Sequence, residues 1–138
     1  MKSLVSMAWQ GNMEFEANVE GHRIILDIEE ENGGKNKGPK PKPLMMVALG
    51  GCTGIDVVSI LRKMKVEVES FNILIEADMT ETHPKVYEKM HVVYEFRGKN
   101  LPKDKIERAV ELSREKYCGV SAMYKKAFDL SYEIKILD

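Results

Sequence analysis

Chemically specialised side chains are scarce in this 138-residue chain: two cysteines, three histidines and one tryptophan. Cys52 and Cys118 form no CxxC, which excludes a thioredoxin-type motif and a zinc ribbon. His22, His83 and His91 are scattered without ligand spacing, so they do not compose a metal site. Net charge is nearly absent as well, at −1, which removes any global drive toward nucleic acid or an anionic membrane. No nucleophile elbow supports a serine triad, and no basic, aromatic face resembles an RNA-binding sheet. Gly50-Gly51-Cys52-Thr53-Gly54 is glycine-rich but fits neither GxGxxG nor GxxxxGKS/T, and it lies within a helical pattern. Met1 to Trp9 lacks the apolar segment of a signal peptide, so a cytoplasmic location is the expectation.

What is present is a long apolar run, Leu44 to Lys65. Pro39, Pro41 and Pro43 lead into it, and proline suits a helix start because its missing N–H would have no partner there. Arg62, Lys63 and Lys65 close it, matching the negative pole of a helix C-terminus. The run reads as one central helix roughly 30 Å long. Asp56 in its middle, with the glycines and Ser59, argues against a membrane span. Adjacent Gly50 and Gly51 cost roughly 1–2 kcal/mol relative to alanine. Either close packing or a narrow pocket reaching Cys52 has to offset that. Hydrophobic residues at 43% and charged residues at 31% fit one soluble domain over residues 1–138.

Around the central run the periodicities are clear. Leu4 to Trp9, Met13 to Val19 and His22 to Ile28 read as strands joined by turns at Gln10-Gly11-Asn12 and Glu20-Gly21, an antiparallel meander. Glu29 to Lys42 is polar and rich in Gly, Asn and Lys, an exposed loop. After the helix, strands from about Glu69 to Asp78 and from Val86 to Arg97 should pair as a hairpin. On the second, Val86, Glu88, Met90, Val92, Tyr94 and Phe96 share one face. A helix from Lys103 to about Glu115, a short helix from Val120 to Ala127 and a strand from Asp129 to Leu137 complete the chain. The order β-β-β-α-β-β-α-α-β has no βαβ repeat, which predicts an α+β fold with antiparallel pairing.

The thiols are the remaining chemistry. Cys52 lies on the central helix, and Cys118 opens the third helix, where outward N–H groups and the positive helix end favour a thiolate. If the two meet, they fit an oxidation cycle in which one thiolate becomes a sulfenic acid and the other condenses with it. If they do not, they are two core cysteines.

The segments GPKPKPLMMVALGGCTGIDVVSIL (38–61) and EKYCGVSAM (115–123) resemble the OsmC/Ohr family in order and spacing, and the wording is most similar to its OsmC-like branch. That resemblance implies an intertwined homodimer, with antiparallel sheets wrapped around the central helices and active sites at the interface. It implies a cytoplasmic thiol peroxidase acting on organic hydroperoxides, with hydrogen peroxide as a further substrate of some members, in oxidative-stress defence. Cys52 would be the peroxidatic cysteine and Cys118 the resolving one. A dithiol such as a lipoyl group would reduce the disulfide, and no metal or flavin would be needed. Two departures stand out. Pro43 occupies the position of the family glutamate that holds the thiolate-stabilising arginine, and that arginine has no firm match: Arg23 is the best candidate, with a solvated strand charge as its alternative reading. The lost clamp motivates a second reading, a dimeric small-ligand-binding protein. A third is a structural dimer whose cysteines only pack. Met45, Met46, Met64, Phe71 and Tyr94 are read as pocket or core.

Overall fold

Two tight turns organise the N-terminal strands. β1 (Ser6–Trp9), β2 (Phe15–Val19) and β3 (His22–Leu26) pair antiparallel in that order. Glu20 and Gly21 join β2 to β3 with φ of 51° and 82°. Two successive positive φ values match the right-handed twist of a hairpin. The meander is therefore as expected, with strands slightly shorter than their alternating patterns.

The computed structural model describes residues 1–138 and divides them into two compact units, Met1–Met45 and Met46–Asp138. In the first, Asp27 organises the polar segment that follows β3. Its Oδ1 accepts from the Ile28 N–H at 2.8 Å, and its Oδ2 accepts from the N–H groups of Lys37 and Lys35 at 3.1 and 3.3 Å. Its own N–H donates to the Pro39 carbonyl. The 29–42 segment is thus tied back to β3. A Cβ at Gly34 or Gly38 would lie 2.1 Å from the carbonyl oxygen of Ile28 or Ile25, so both positions admit only glycine.

α1 (Leu44–Lys63) carries the apolar run. It ends two residues earlier than its pattern because Lys65 turns left-handed at φ 60°, with Val66 N–H donating to Leu61 O and Lys65 N–H to Arg62 O. This is a Schellman close with lysine where glycine is usual. β4 (Ser70–Met79) and β5 (Tyr87–Arg97) form the expected antiparallel hairpin. A bulge opposite Asp78 and Met79 leaves Glu88 unpaired, so alternation changes phase there. Tyr87 is buried and Glu88 exposed, the reverse of the predicted face, whereas Met90, Val92, Tyr94 and Phe96 are buried as predicted.

α2 (Lys103–Leu112), a π turn (Ser113–Tyr117) and α3 (Gly119–Ala127) lead to β6 (Asp129–Leu137). β6 pairs with β5 in parallel, which corrects the expectation of purely antiparallel sheets. The reason is that the α2–α3 segment is long enough to cross over and return in the same direction. The α+β class stands.

Leu49, Val57 and Leu61 of α1 join the inner residues of β5 and Ile106, Ala109 and Val110 of α2 in one core. Each large apolar side chain so buried contributes about 1.5–3 kcal/mol. A Cβ at Gly50 or Gly54 would come within 3.2 Å of Ile75 or 3.0 Å of Ile73, so these glycines let α1 approach β4, while nothing lies within 4 Å of Gly51. By length and composition alone α1 could cross a membrane, yet Leu49, Thr53, Val57 and Leu61 are buried on the core. Its Val47, Ile55 and Val58 remain exposed.

Candidate thiol site

Helical spacing places Cys52 and Asp56 one turn apart on α1, so their side chains share a face. Cys118 is the N-cap of α3, with β-region dihedrals of −78° and 103°. Its Sγ accepts from the Ser121 N–H at 3.3 Å, filling a role that serine or aspartate usually holds. The π turn delivers it there: the Cys118 N–H donates to the Ser113 carbonyl five residues back at 2.7 Å. One extra residue in that turn also buries Ser113 and Arg114 together.

The result is that Cys52 Sγ, Cys118 Sγ and an Asp56 carboxylate oxygen all lie within 4.8 Å of one another. Both thiols are free, Cys118 buried and Cys52 half-buried. The two cysteines singled out in the sequence do meet. Burial pushes the Cys52 thiol above its ordinary range. The Val120 backbone N–H pulls against that, while the Cys118 thiol and the Asp56 carboxylate push the same way as burial.

Behind Asp56 runs a chain of hydroxyls. Ser113 Oγ donates to Asp56 Oδ2 at 3.0 Å, Thr53 Oγ1 lies 2.7 Å from Ser113 Oγ, and Tyr94 Oη lies 2.8 Å from Thr53 Oγ1. A carboxylate only accepts, and each hydroxyl has one proton. Ser113 therefore accepts from Thr53, and Thr53 from Tyr94, so every proton in the chain points toward Asp56. Burial raises the Tyr94 phenol, opposed by its bond to Thr53 and by the neighbouring Arg114 guanidinium. Arg114 is buried at 6% exposure, with its guanidinium carbon 4.1 Å from the Tyr132 ring centroid. Its Nε and Nη1 have no hydrogen-bond partner.

Arg23 lies in the first unit. It is exposed and bonded across β2 and β3 to Glu16, Nη2 to Oε1 at 2.7 Å. The cation buried in the unit that holds both thiols is Arg114. Sequence reading passed over Asp56, Thr53, Ser113 and Arg114. The one signal available was a lone carboxylate four residues after a cysteine in an apolar helix.

The OsmC-like protein family model matches residues 34–133. The chain belongs to the OsmC family. It is similar to protein YhfA of Escherichia coli K12, at 32% identity over 120 residues and 87% of each chain. Its fold is that of a hypothetical protein from Aquifex aeolicus VF5, at 33% identity with a TM-score of 0.83, covering 100% of this chain and 99% of that one. At 14% identity, the organic hydroperoxide resistance protein OhrB of Bacillus subtilis shares the fold, with a TM-score of 0.68 over 98% of both chains. Solved neighbours thus fall across the OsmC/Ohr family, and the YhfA likeness fits its OsmC-like branch. That kinship fixes the family and the fold, and leaves open what Asp56 does between the two cysteines.

Proposed function

We propose that this protein is a cysteine-based hydroperoxide reductase. The observation that carries the reading is the approach of Cys52 and Cys118 to within 4.8 Å inside an OsmC fold. The half-buried Cys52 is the one a peroxide reaches, and the buried Cys118 waits behind it. The Cys52 thiolate attacks the distal peroxide oxygen, the O–O bond breaks, and the alkoxide takes a proton and leaves as an alcohol. The Cys118 sulfur then attacks the sulfenic sulfur, a disulfide forms and water leaves. A dithiol, a lipoyl group among the candidates, restores both thiols by exchange.

A homodimer belongs to the same proposal. Val47, Ile55 and Val58 give α1 an exposed apolar face, and a groove of about 560 Å³ beside it is lined by Gly50, Gly51, Ile55, Val58 and Phe71. Contiguous apolar surface of this kind is ordinarily covered. A second copy of the chain is the proposed cover. The same groove supports the alternative of a small-ligand-binding protein, since an apolar cleft of this size is typical of ligand pockets.

The test is consumption of cumene hydroperoxide and of hydrogen peroxide with a dithiol reductant, comparing wild type with Cys52→Ser. Fast loss of the organic peroxide that depends on Cys52 supports the reductase. No turnover by folded wild type, together with a small molecule retained in native mass spectrometry, moves the assignment to the binding protein.

A further inference from the structure

We propose that Cys52, Asp56 and Cys118 form a binding site for a thiophilic divalent cation of the zinc class, held by two thiolates and one carboxylate with one coordination position open. The donors come from two elements, α1 and the start of α3, and all three ligand atoms already lie within 4.8 Å of one another. Zinc takes sulfur at about 2.3 Å and carboxylate oxygen at about 2.0–2.2 Å in a tetrahedron, which sets donor–donor edges of roughly 3.5–3.8 Å.

Three further features fit a ligand set better than a packed core. Asp56 has one oxygen held by Ser113 Oγ at 3.0 Å, backed by Thr53 at 2.7 Å. Such outer hydrogen bonds orient ligating carboxylates. Cys118 is oriented by the Ser121 N–H, which donates to its Sγ at 3.3 Å and fixes where that sulfur points. Finally, Asp56 takes part in none of the ion pairs of the chain. Two thiolates and a carboxylate together carry three negative charges, and a divalent cation is the species that neutralises most of them.

Binding releases two protons: the ion, two thiols and the carboxylate give a bis-thiolate, mono-carboxylate complex with water in the fourth position, of net charge −1. No electrons move. The bound ion would occupy the same two sulfur atoms that the proposed peroxide cycle needs, so metal and hydroperoxide would compete for one pair of thiols. The site itself stands on geometry and does not depend on the reductase reading.

The experiment uses the full chain, reduced with a phosphine under anaerobic conditions and titrated with cobalt(II), then with zinc(II). One equivalent of cobalt per chain should produce sulfur-to-cobalt charge transfer and the intense visible bands of tetrahedral cobalt, and zinc should erase both. Absorption fine structure of the zinc form should show sulfur near 2.3 Å and oxygen near 2.0 Å, at about two sulfurs per ion. Asp56→Asn, which keeps an acceptor for Ser113, should weaken binding on the order of tenfold or more. Cys52→Ser and Cys118→Ser should each remove most of the charge transfer. Wild type methylthiolated at both cysteines provides the same test without a substitution. The site is overturned if reduced wild type shows no charge transfer, if blocked protein binds equally well, or if Asp56→Asn binds with unchanged affinity and spectrum. Because no peroxide is present, cobalt binding without hydroperoxide turnover supports the metal site and sinks the reductase. Turnover without cobalt binding does the reverse.

Discussion

Each of the two units holds one carboxylate that stands out, Asp27 in the first and Asp56 in the second, and the two are supplied with donors very differently. Asp27 accepts three backbone N–H groups, so both of its oxygens are engaged by the chain it organises. Asp56 accepts from a single hydroxyl and turns toward two thiols. A carboxylate whose lone pairs are filled by nearby backbone is a structural pin. One that is half filled, oriented from behind and set beside nucleophilic sulfur is available for chemistry. The count of donors separates the two roles more sharply than burial does.

The largest expected effect breaks the comparison at the thiols. Cys52→Ser should lower hydroperoxide consumption by on the order of 100-fold or more, since the proposed reaction uses its thiolate as the nucleophile. Asp27→Asn should leave the rate per folded molecule unchanged while lowering Tm by several degrees, measured by thermal melting beside the activity assay. Equal loss of rate in both variants would erase the distinction between pin and site.

Next comes Asp56→Asn. Removing a negative charge beside Cys52 stabilises its thiolate, so attack on peroxide at neutral pH should become faster by a few-fold, with Tm nearly unchanged. The wild-type rate should climb with pH, about tenfold per unit while the thiol is mostly protonated, and the variant's profile should shift to lower pH. Stopped-flow oxidation of reduced protein across pH reads both. A slower variant with an unshifted profile would mean that Asp56 assists the reaction in some way other than through its charge.

Tyr94→Phe probes the support behind Asp56. It removes the donor to Thr53 and the acceptor beside Arg114, and should cost about 1–3 kcal/mol of stability by denaturant unfolding. A neutral result would show that water replaces the phenol in the chain.

The smallest effect concerns Asp27 and acid. The Ile28 N–H foremost, with those of Lys37 and Lys35, holds its carboxyl below the ordinary range, although burial pushes the other way. A group with a depressed folded pKa contributes stability above its unfolded value, near 4, and loses it as pH falls through the lower folded value. Wild type should therefore lose more stability than Asp27→Asn between about pH 5 and the acid limit of folding. Parallel losses would remove Asp27 from its assigned role.

Local pattern made most of the fold legible. Period-two alternation located five of the six strands to within two or three residues, and the apolar run with its proline lead and basic end located α1. Where local rules were interrupted, reading them forward failed. The bulge at Glu88 flipped the face of Tyr87, and the π turn moved Ser113 and Arg114 inside. Asp27 was invisible as a hub because its acceptors face backbone N–H groups, which carry no residue-type signal.

By itself the sequence determined the α+β class, the element order, the two cysteines and the helix end that caps one of them. These follow from period, capping and turn chemistry, all of which act within a few residues. Only the tertiary structure decided that β6 runs parallel to β5, that Asp56 joins the thiols, and that Ser113 reaches Asp56 and Thr53 across 57 and 60 positions. Such contacts depend on how α1, the π turn and the sheet pack into one core, and no local period encodes that arrangement.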